Sequence, residues 1–261
     1  MNSSPSASFD QVVAALRHSH DRLQATLSGL GPEQLTARSY CRDWSRAQVA
    51  SHLGSGADIF SMFVEAGRRG HPAPGFDQFP PVWERWNAKS PPEQAADCLT
   101  VDRSFLEMMQ DMAPSERDQW HLEMFGAQRT LTDVAAMRLS EHALHTWDIV
   151  VSVDGRATLA SDAVLVLVDW MGARIERVTP TEDLTVALST VEPERSYVLE
   201  LAPGSARLRA GEGEGTLPRL HLPAEAFIRL VAGRLDPAHT PLSLQADGID
   251  LDALRRAFPG F

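Results

Sequence analysis

The chain of 261 residues is long enough for one large domain or two modest ones, and its 43% hydrophobic and 23% charged residues are typical of a folded globular protein. Its formal net charge of −11 disfavours broad electrostatic binding to nucleic acid or to anionic membranes. No apolar run approaches the ~20 residues that a transmembrane helix needs. Two cysteines, Cys41 and Cys98, are too few for a disulfide framework, and the start, MNSSPSASFD, lacks the basic and apolar stretches of a signal peptide. We therefore expect a cytoplasmic protein without a membrane segment.

Helical periodicity dominates the first part of the sequence. Apolar residues recur every three to four positions from 9 to about 29, and a second helix is predicted after Ser45, where Ser45 and Gln48 form an S-x-x-Q capping box. Further helices are predicted over 82–87, over 93–112, from Thr130 or Thr132 to 151, and over 161–178. These segments predict an up-and-down helical bundle that ends at residue 178.

The pattern changes after Thr179 and Pro180. The segments LTVALST and SYVLELA alternate apolar and polar residues as β-strands do, and they predict a small antiparallel sheet. Helices are predicted over 223–233 and 251–258. The sequence therefore predicts an α+β protein with two domains, a helical bundle over 1–178 and a small α/β domain over 179–261.

Three side chains in the predicted bundle are of the types that bind metal ions. Glu141 and His145 lie four residues apart, so on a helix their side chains stand one above the other and converge. His52 lies on the inner, otherwise apolar face of the second predicted helix. Two imidazoles and one carboxylate are a known ligand set for catalytic zinc, with one coordination position left open. His142 is rotated by about 100° from Glu141 around the helix and is not expected to join them.

The same residues have structural alternatives. An inward histidine is often a hydrogen-bonded core residue, and Glu141 with His145 is also the spacing of a simple pair on a helix surface. Trp44 and Trp147 are expected to pack around the helix crossing or, as a second option, to form a wall of the site. Asp148, three residues after His145, is expected to orient an imidazole, or else to cap a helix or form an ion pair.

Two segments of the chain resemble the mycothiol-dependent maleylpyruvate isomerase family. They are Asp43-Trp44-Ser45 running to Ser51-His52-Leu53, and Ser140-Glu141-His142-Ala143-Leu144-His145-Thr146-Trp147-Asp148. The segment LPAEAFIRLVAGRLDP is similar to the family's C-terminal domain. The resemblance implies a DinB-like four-helix bundle followed by a small domain resembling sterol carrier protein, with the active site in the cleft between them. It also implies that His52, Glu141 and His145 are the metal ligands.

Membership of this family, which includes many actinobacterial proteins, implies an enzyme that uses mycothiol as its thiol cosubstrate. Zinc or another divalent metal would hold the sulfur as a zinc thiolate, which then attacks an electrophilic small molecule. Addition to the cis double bond of maleylpyruvate followed by elimination gives cis-trans isomerisation, whereas addition alone gives S-transfer. Neither protein cysteine is needed as the nucleophile.

An acidic substrate needs a cation inside this net-negative protein, and a guanidinium matches both oxygens of a carboxylate. Arg229 is the preferred candidate and Arg234 the alternative. The active protein is expected to be a monomer or a homodimer. A non-catalytic metal-binding or small-molecule-binding protein on the same scaffold is the alternative function, and a lipid or sterol carrier, which would need a large apolar pocket, is a third.

Overall fold

The computed structural model describes residues 7–213 and 215–260, which form two compact units, the first ending at Ala157 and the second beginning at Thr158. The first unit contains helices α1 (Phe9–Leu27), α2 (Pro32–Thr36), α3 (Arg46–Arg69), α4 (Pro80–Asn87), α5 (Pro91–Asp111), α6 (Pro114–Gln119) and α7 (Leu131–Val150), and strands β1 (His121–Met124) and β2 (Ala127–Thr130). The second contains helices α8 (Ser161–Leu167), α9 (Met171–Ile175), α10 (Ala224–Val231) and α11 (Leu251–Ala257), and strands β3 (Leu184–Val191), β4 (Arg195–Ala202), β5 (Ser205–Ala210), β6 (Arg219–Pro223) and β7 (Gln245–Asp247). Residues 1–6 of the segment inspected for a signal peptide lie outside the described residues. Among the described residues, no helix is both long enough and apolar enough to cross a membrane.

The first unit is built on a four-helix bundle, as predicted. Helices α1 and α3 each pack against both α5 and α7. Capping boxes at Ser8, Ser45 and Thr130 start α1, α3 and α7, so in each helix the backbone N–H groups of the cap residue and of the third helical residue have side-chain partners. Helix α3 ends at Gly70, whose left-handed backbone (φ 65°) suits glycine. The predicted cap at Ser45 is confirmed, and of the two alternatives Thr130 and Thr132 the structure has Thr130 as the cap of α7.

The direction of the helices differs from a bundle that alternates throughout. The side chain of Ser51, in the first half of α3, donates a hydrogen bond to Asn87, just before α5. Glu116, just after α5, pairs with Arg68 at the end of α3. Helices α3 and α5 therefore run in the same direction, because the segment between them, which includes α4, returns the chain to the start of α3.

A short β-hairpin between α6 and α7 was not predicted. Its strands β1 and β2 pair antiparallel, with His121 opposite Thr130 and Met124 opposite Ala127. The hairpin turns at Phe125 and Gly126, which both have positive φ, as in a type I′ turn. Such turns favour Asn-Gly, so Phe-Gly gives no recognisable signal, and strands of four residues are too short for a clear alternation.

The second unit is built on a five-stranded sheet in the order β5-β4-β3-β6-β7. Neighbouring strands are antiparallel except for β3 and β6, which run parallel from Ala187 opposite Arg219 to Val191 opposite Pro223. The predicted antiparallel sheet is therefore a mixed one, because the chain between β5 and β6 passes to the far side of β3 instead of forming another hairpin. Helix α10 packs against β3 and β6.

The segment predicted as one helix over 161–178 forms α8, a 3-10 turn (Val168–Trp170) and α9. Helices α8 and α9 pack against α10, and α9 also contacts β5, so this segment belongs to the second unit and not to the bundle. The predicted boundary at residue 178 marks the change from helical to β-strand periodicity. The two compact units divide earlier, between Ala157 and Thr158, where the packing partners change. The fold class is as predicted, with a helical N-terminal region and a C-terminal sheet domain, and the division into domains over 1–178 and 179–261 stays a prediction.

Candidate metal centre

The structure brings His52, Glu141 and His145 together between helices α3 and α7. Helix α3 carries His52, and Glu141 and His145 lie one turn apart on α7. The distance from His52 Nε2 to Glu141 Oε2 is 3.5 Å, and from His145 Nε2 to the same oxygen it is 3.7 Å. The two imidazole rings are 4.5 Å apart between centroids and meet edge to face. Two ring nitrogens thus converge on one carboxylate oxygen.

These distances fit ligands around one ion better than a hydrogen-bonded trio. A tetrahedral zinc ion with bonds of about 2.1 Å holds its ligand atoms about 3.4 Å apart. The observed 3.5 and 3.7 Å are close to that spacing, whereas hydrogen bonds to a carboxylate are typically shorter by about half an ångström or more. His52, Glu141 and His145 form one of the groups of His, Cys, Asp and Glu whose ligand atoms all lie within 4.8 Å of one another. The donor set therefore fits a divalent metal.

Asp148 and Cys41 lie behind His145. The His145 Nδ1 atom is 2.8 Å from Asp148 Oδ2, and Cys41 Sγ donates a hydrogen bond to the same oxygen at 3.2 Å. Because an ionised carboxylate only accepts hydrogen bonds, Nδ1 of His145 donates to Asp148, and in the neutral imidazole Nε2 is then the nitrogen whose lone pair suits a ligand role. This is the arrangement in which a carboxylate orients a metal-binding histidine. The contact of Cys41 with this group was not expected from the sequence.

The candidate centre is open to solvent on one side. The His52 and Glu141 side chains are 34% and 37% exposed, whereas His145 and Asp148 are buried. The indole of Trp44 lies 5.2 Å from the His52 ring and is itself partly exposed, so it forms an apolar wall beside the opening. Trp147 is buried and donates its indole N–H to the Ala157 carbonyl, which is a packing role.

A second cluster of histidine and carboxylate lies in the bundle core. Asp102 Oδ2 is 2.7 Å from His20 Nδ1 and 2.9 Å from His142 Nε2. Asp102 Oδ1 accepts a hydrogen bond from Arg138 Nη2 at 2.8 Å, and the same nitrogen donates to the Leu53 carbonyl at 2.9 Å. We call His20, Asp102, Arg138 and His142 the core network. Each of its members is at most 3% exposed.

The charges of the core network compensate one another inside the bundle. Burial alone would raise the pKa of the Asp102 carboxyl, but His142, His20 and Arg138 together hold that pKa well below its usual range. Burial lowers the pKa of His142, against the opposing attraction of Asp102. The carboxylate of Asp102 and the guanidinium of Arg138 are therefore the main charges of the network, and they compensate each other.

Sequence reasoning missed the core network, although a signal for it was present. His20 stands within the apolar stripe of α1, four residues after Leu16, and Asp102 stands four residues after Cys98 within that of α5. Arg138 likewise lies four residues after Val134 on α7. Polar residues at apolar positions of three helices indicate a buried cluster, but the sequence does not say which of them meet.

The structure places Arg229 in a buried ion pair within the second unit. Its Nε and Nη2 atoms donate to Glu225 at 2.7 and 2.8 Å, and Nη1 donates to the His239 carbonyl at 2.8 Å. Arg234 is also buried, and its Nη1 donates to the Ala232 carbonyl. A substrate carboxylate at Arg229 would have to compete with Glu225, so this role stays a prediction without support from these contacts.

The first unit is thus a four-helix bundle with a histidine and carboxylate centre of metal-ligand geometry, which defines a class of candidate metalloproteins. Residues 16–150 match the sequence model of the family described as the mycothiol maleylpyruvate isomerase N-terminal domain. The match covers more than half of the chain, and the chain belongs to this family.

Comparison with solved structures supports the same fold over most of the chain. The chain is similar to a mycothiol-dependent maleylpyruvate isomerase, with 13% sequence identity and a TM-score of 0.66, covering 87% of this chain and 90% of that one. A histidine-to-alanine mutant of such an isomerase gives the same identity, coverage and TM-score. No curated protein sequence matches the chain significantly.

Proposed function

We propose that this chain is a mycothiol-dependent enzyme with a divalent metal, zinc by the nature of the ligand set, held by His52, Glu141 and His145. The observation that carries the proposal is the convergence of two Nε2 atoms on Glu141 Oε2 at 3.5 and 3.7 Å. When bound, a divalent metal with an open position favours the thiolate form of a thiol ligand at neutral pH and makes the sulfur nucleophilic. Membership of the family favours mycothiol as that thiol.

The side chains around the centre have distinct tasks in this proposal. Glu141 supplies a negative charge between two imidazoles, which compensates part of the charge of a divalent ion. Asp148 holds the Nδ1 proton of His145 and fixes the direction of its Nε2. The exposed sides of His52 and Glu141 leave access for a small thiol, and Trp44 shields one edge of the opening.

The proposed reaction is cis-trans isomerisation of a maleylpyruvate-like substrate. The thiol gives up its proton, and its sulfur adds to one carbon of the cis double bond while the electron pair moves onto the conjugated carbonyl. Rotation about the resulting single bond and return of the electron pair expel the sulfur and leave the trans double bond. The thiol is regenerated, so no net oxidation or reduction occurs. Addition of the sulfur without its expulsion would make the same site an S-transferase.

The protein's own cysteines are not the nucleophile in this proposal. Cys98 is fully buried, and burial raises the pKa of its thiol, which disfavours the reactive thiolate. The Cys41 thiol donates to the Asp148 carboxylate and so supports the group that orients His145. An external thiol is therefore the better source of sulfur.

The test is turnover by the zinc-loaded full chain with mycothiol and maleylpyruvate, followed by NMR of the cis and trans isomers. We expect conversion that requires mycothiol and is lost in His52→Ala, whereas His121→Ala, which removes an exposed histidine from β1, keeps it. A stable thioether adduct in place of the trans isomer would identify an S-transferase. No thiol-dependent conversion by fully metallated protein would overturn the proposal and favour a non-catalytic binding protein.

A further inference from the structure

We propose that the core network is a positioning device for the metal centre: Arg138 and Asp102, with His20 and His142, set the separation of α3 and α7 and thereby the distance between His52 and Glu141. The inference rests on the proposed metal-binding function of His52, Glu141 and His145. It assigns a role to four buried polar residues that the proposed chemistry does not use.

Arg138 connects the two helices that carry the ligands. It lies on α7, three residues before Glu141, and its Nη2 atom donates to the backbone carbonyl of Leu53 on α3. Leu53 directly follows His52. One guanidinium therefore ties the α3 backbone beside one ligand to the helix that carries the other two.

Asp102 holds that guanidinium from a third helix. Its Oδ1 atom accepts from the same Arg138 Nη2 that reaches Leu53, which fixes the guanidinium from α5. Its Oδ2 atom faces His20 of α1 and His142 of α7, and His142 directly follows Glu141. The core network therefore joins side chains of α1, α5 and α7 to the Leu53 carbonyl of α3, and Leu53 and His142 directly follow the ligands His52 and Glu141.

The Nδ1 side of His142 is held as well. The Ser19 hydroxyl of α1 lies 2.8 Å from it, and the Thr146 hydroxyl, one turn later on α7, lies 3.2 Å from it. Rotation of the ring would break these two buried hydrogen bonds of Nδ1, each of which costs about 1–3 kcal/mol when left unmade, and would also move Nε2 away from its 2.9 Å ion-pair contact with Asp102. Helix α7 is therefore fixed in rotation at the residue after Glu141.

Helix α3 leaves space for the guanidinium at Gly56. A Cβ atom placed on Gly56 would lie 2.8 Å from Arg138 Nη1, which is closer than real Cβ contacts. A side chain there would push the guanidinium away from the α3 backbone. Gly67, three turns later on the same helix, is instead filled by the indole of Trp120, with which an added Cβ would overlap. These two glycines provide a matched pair of alanine substitutions in one helix.

The experiment is titration of the metal-free full chain with Co²⁺, with the dissociation constant and the visible ligand-field spectrum as readouts. We expect Gly56→Ala to weaken Co²⁺ binding by roughly 10-fold or more and to alter the spectrum, as loss of groups that orient metal ligands does elsewhere. Gly67→Ala should lower the melting temperature more, because the rigid indole cannot move aside, yet should keep the wild-type affinity and spectrum. If the network had a purely structural role, affinity would follow stability, and Gly67→Ala would lose more Co²⁺ affinity than Gly56→Ala.

The double variant Asp102→Asn/Arg138→Gln provides a second route, since it removes the network without leaving an unpaired charge. If Gly56→Ala or the double variant folds and binds Co²⁺ as wild type does, the positioning role is wrong. Failure of both to fold while Gly67→Ala folds would also overturn it, because the network would then be required for the fold itself. If wild type binds Co²⁺ no better than His52→Ala, the proposed metal function fails first, so the two failures are distinguishable.

Discussion

Two clusters in one helical bundle contain the same residue types, two histidines and one carboxylate, yet their geometries differ. At the candidate metal centre the nitrogens lie 3.5 and 3.7 Å from Glu141, and the site is partly exposed. In the core network they lie 2.7 and 2.9 Å from Asp102, and the site is closed to solvent. The first spacing suits ligands of one ion, whereas the second is that of a hydrogen bond from His20 and of a close ion-pair contact with His142.

The source of the compensating charge also separates the clusters. Arg138 already neutralises Asp102 at 2.8 Å, so a divalent cation in the same buried space would be repelled. At the candidate centre we propose that the metal itself provides the compensation for Glu141. The comparison leads us to predict that spacing, access and counter-charge, more than residue type, decide which of the two clusters binds a metal.

The largest expected effect is on metal content. His52→Ala should lose most of the metal that wild type carries at close to one ion per chain, because one of three ligands is gone. Its metal-free stability should stay close to wild type, since the His52 side chain is 34% exposed. Metal analysis together with urea unfolding checks both, and His121→Ala is the control. Full retention of metal by His52→Ala would remove His52 from the site.

Glu141→Gln should weaken metal binding and turnover together. The amide keeps the shape of the side chain but removes the negative charge that compensates the ion. Measurement at excess zinc separates the two effects. Turnover that excess zinc restores shows that only the affinity for the metal has changed. Loss of turnover with unchanged affinity would instead assign Glu141 a role outside metal binding.

Loss of the core network should act mainly on stability, because a site weakened by roughly 10-fold is still filled at saturating zinc. Asp102→Asn leaves the Arg138 charge without its partner in a dry core, which should lower the free energy of unfolding by about 3–5 kcal/mol. At saturating zinc the variant should still carry metal at close to one ion per chain. Urea unfolding and metal analysis of one preparation measure both quantities. Loss of stability below about 1 kcal/mol would mean that the ion pair contributes little.

The pH dependence of that loss follows from the lowered pKa of Asp102. The carboxyl is faced by His20 from α1 and by Arg138 and His142 from α7. Because its folded pKa lies below the unfolded value of about 3.9, its stabilising effect is complete above that value and is lost as the pH falls through the folded pKa. The stability gap between wild type and Asp102→Asn should therefore not narrow as the pH falls from about 8 to 5, and should narrow only below about 4. A gap that closes near pH 6 would contradict the lowered pKa.

The smallest effect on turnover is expected from the cysteines. The double variant Cys41→Ser/Cys98→Ser should keep most of its activity, because a serine hydroxyl can still donate to Asp148 and Cys98 takes no part in the reaction. Stability should fall by about 1–3 kcal/mol, since a hydroxyl replaces the buried Cys98 thiol. An inactive variant that folds and binds zinc would point to a covalent cysteine route.

Local sequence patterns predicted the parts of this molecule that depend on neighbours along the chain. The caps at Ser45 and Thr130 and the pairing of Glu141 with His145 need only one helical turn to be recognised. The convergence of His52 with that pair depends on packing between helices; the inward position of His52 made it a candidate, and the resemblance to a family implied the full ligand set.

Features that depend on packing were not predicted. The core network requires the positions of four helices, and the parallel direction of α3 and α5 depends on the return of the chain through α4. The hairpin at 121–130 lacks the usual turn residues. The second unit begins at Thr158 because α8 and α9 pack against α10, and α9 also against β5. In the sequence their helical periodicity looks like one more helix of the bundle.

The most direct test of the difference between the two clusters is a crystal of the zinc-loaded full chain measured at the zinc absorption edge. We predict one strong anomalous peak bounded by His52 Nε2, Glu141 Oε2 and His145 Nε2, and no peak beside Asp102. A peak between His20, Asp102 and His142, or a zinc-loaded chain without a peak at the candidate centre, would contradict the account.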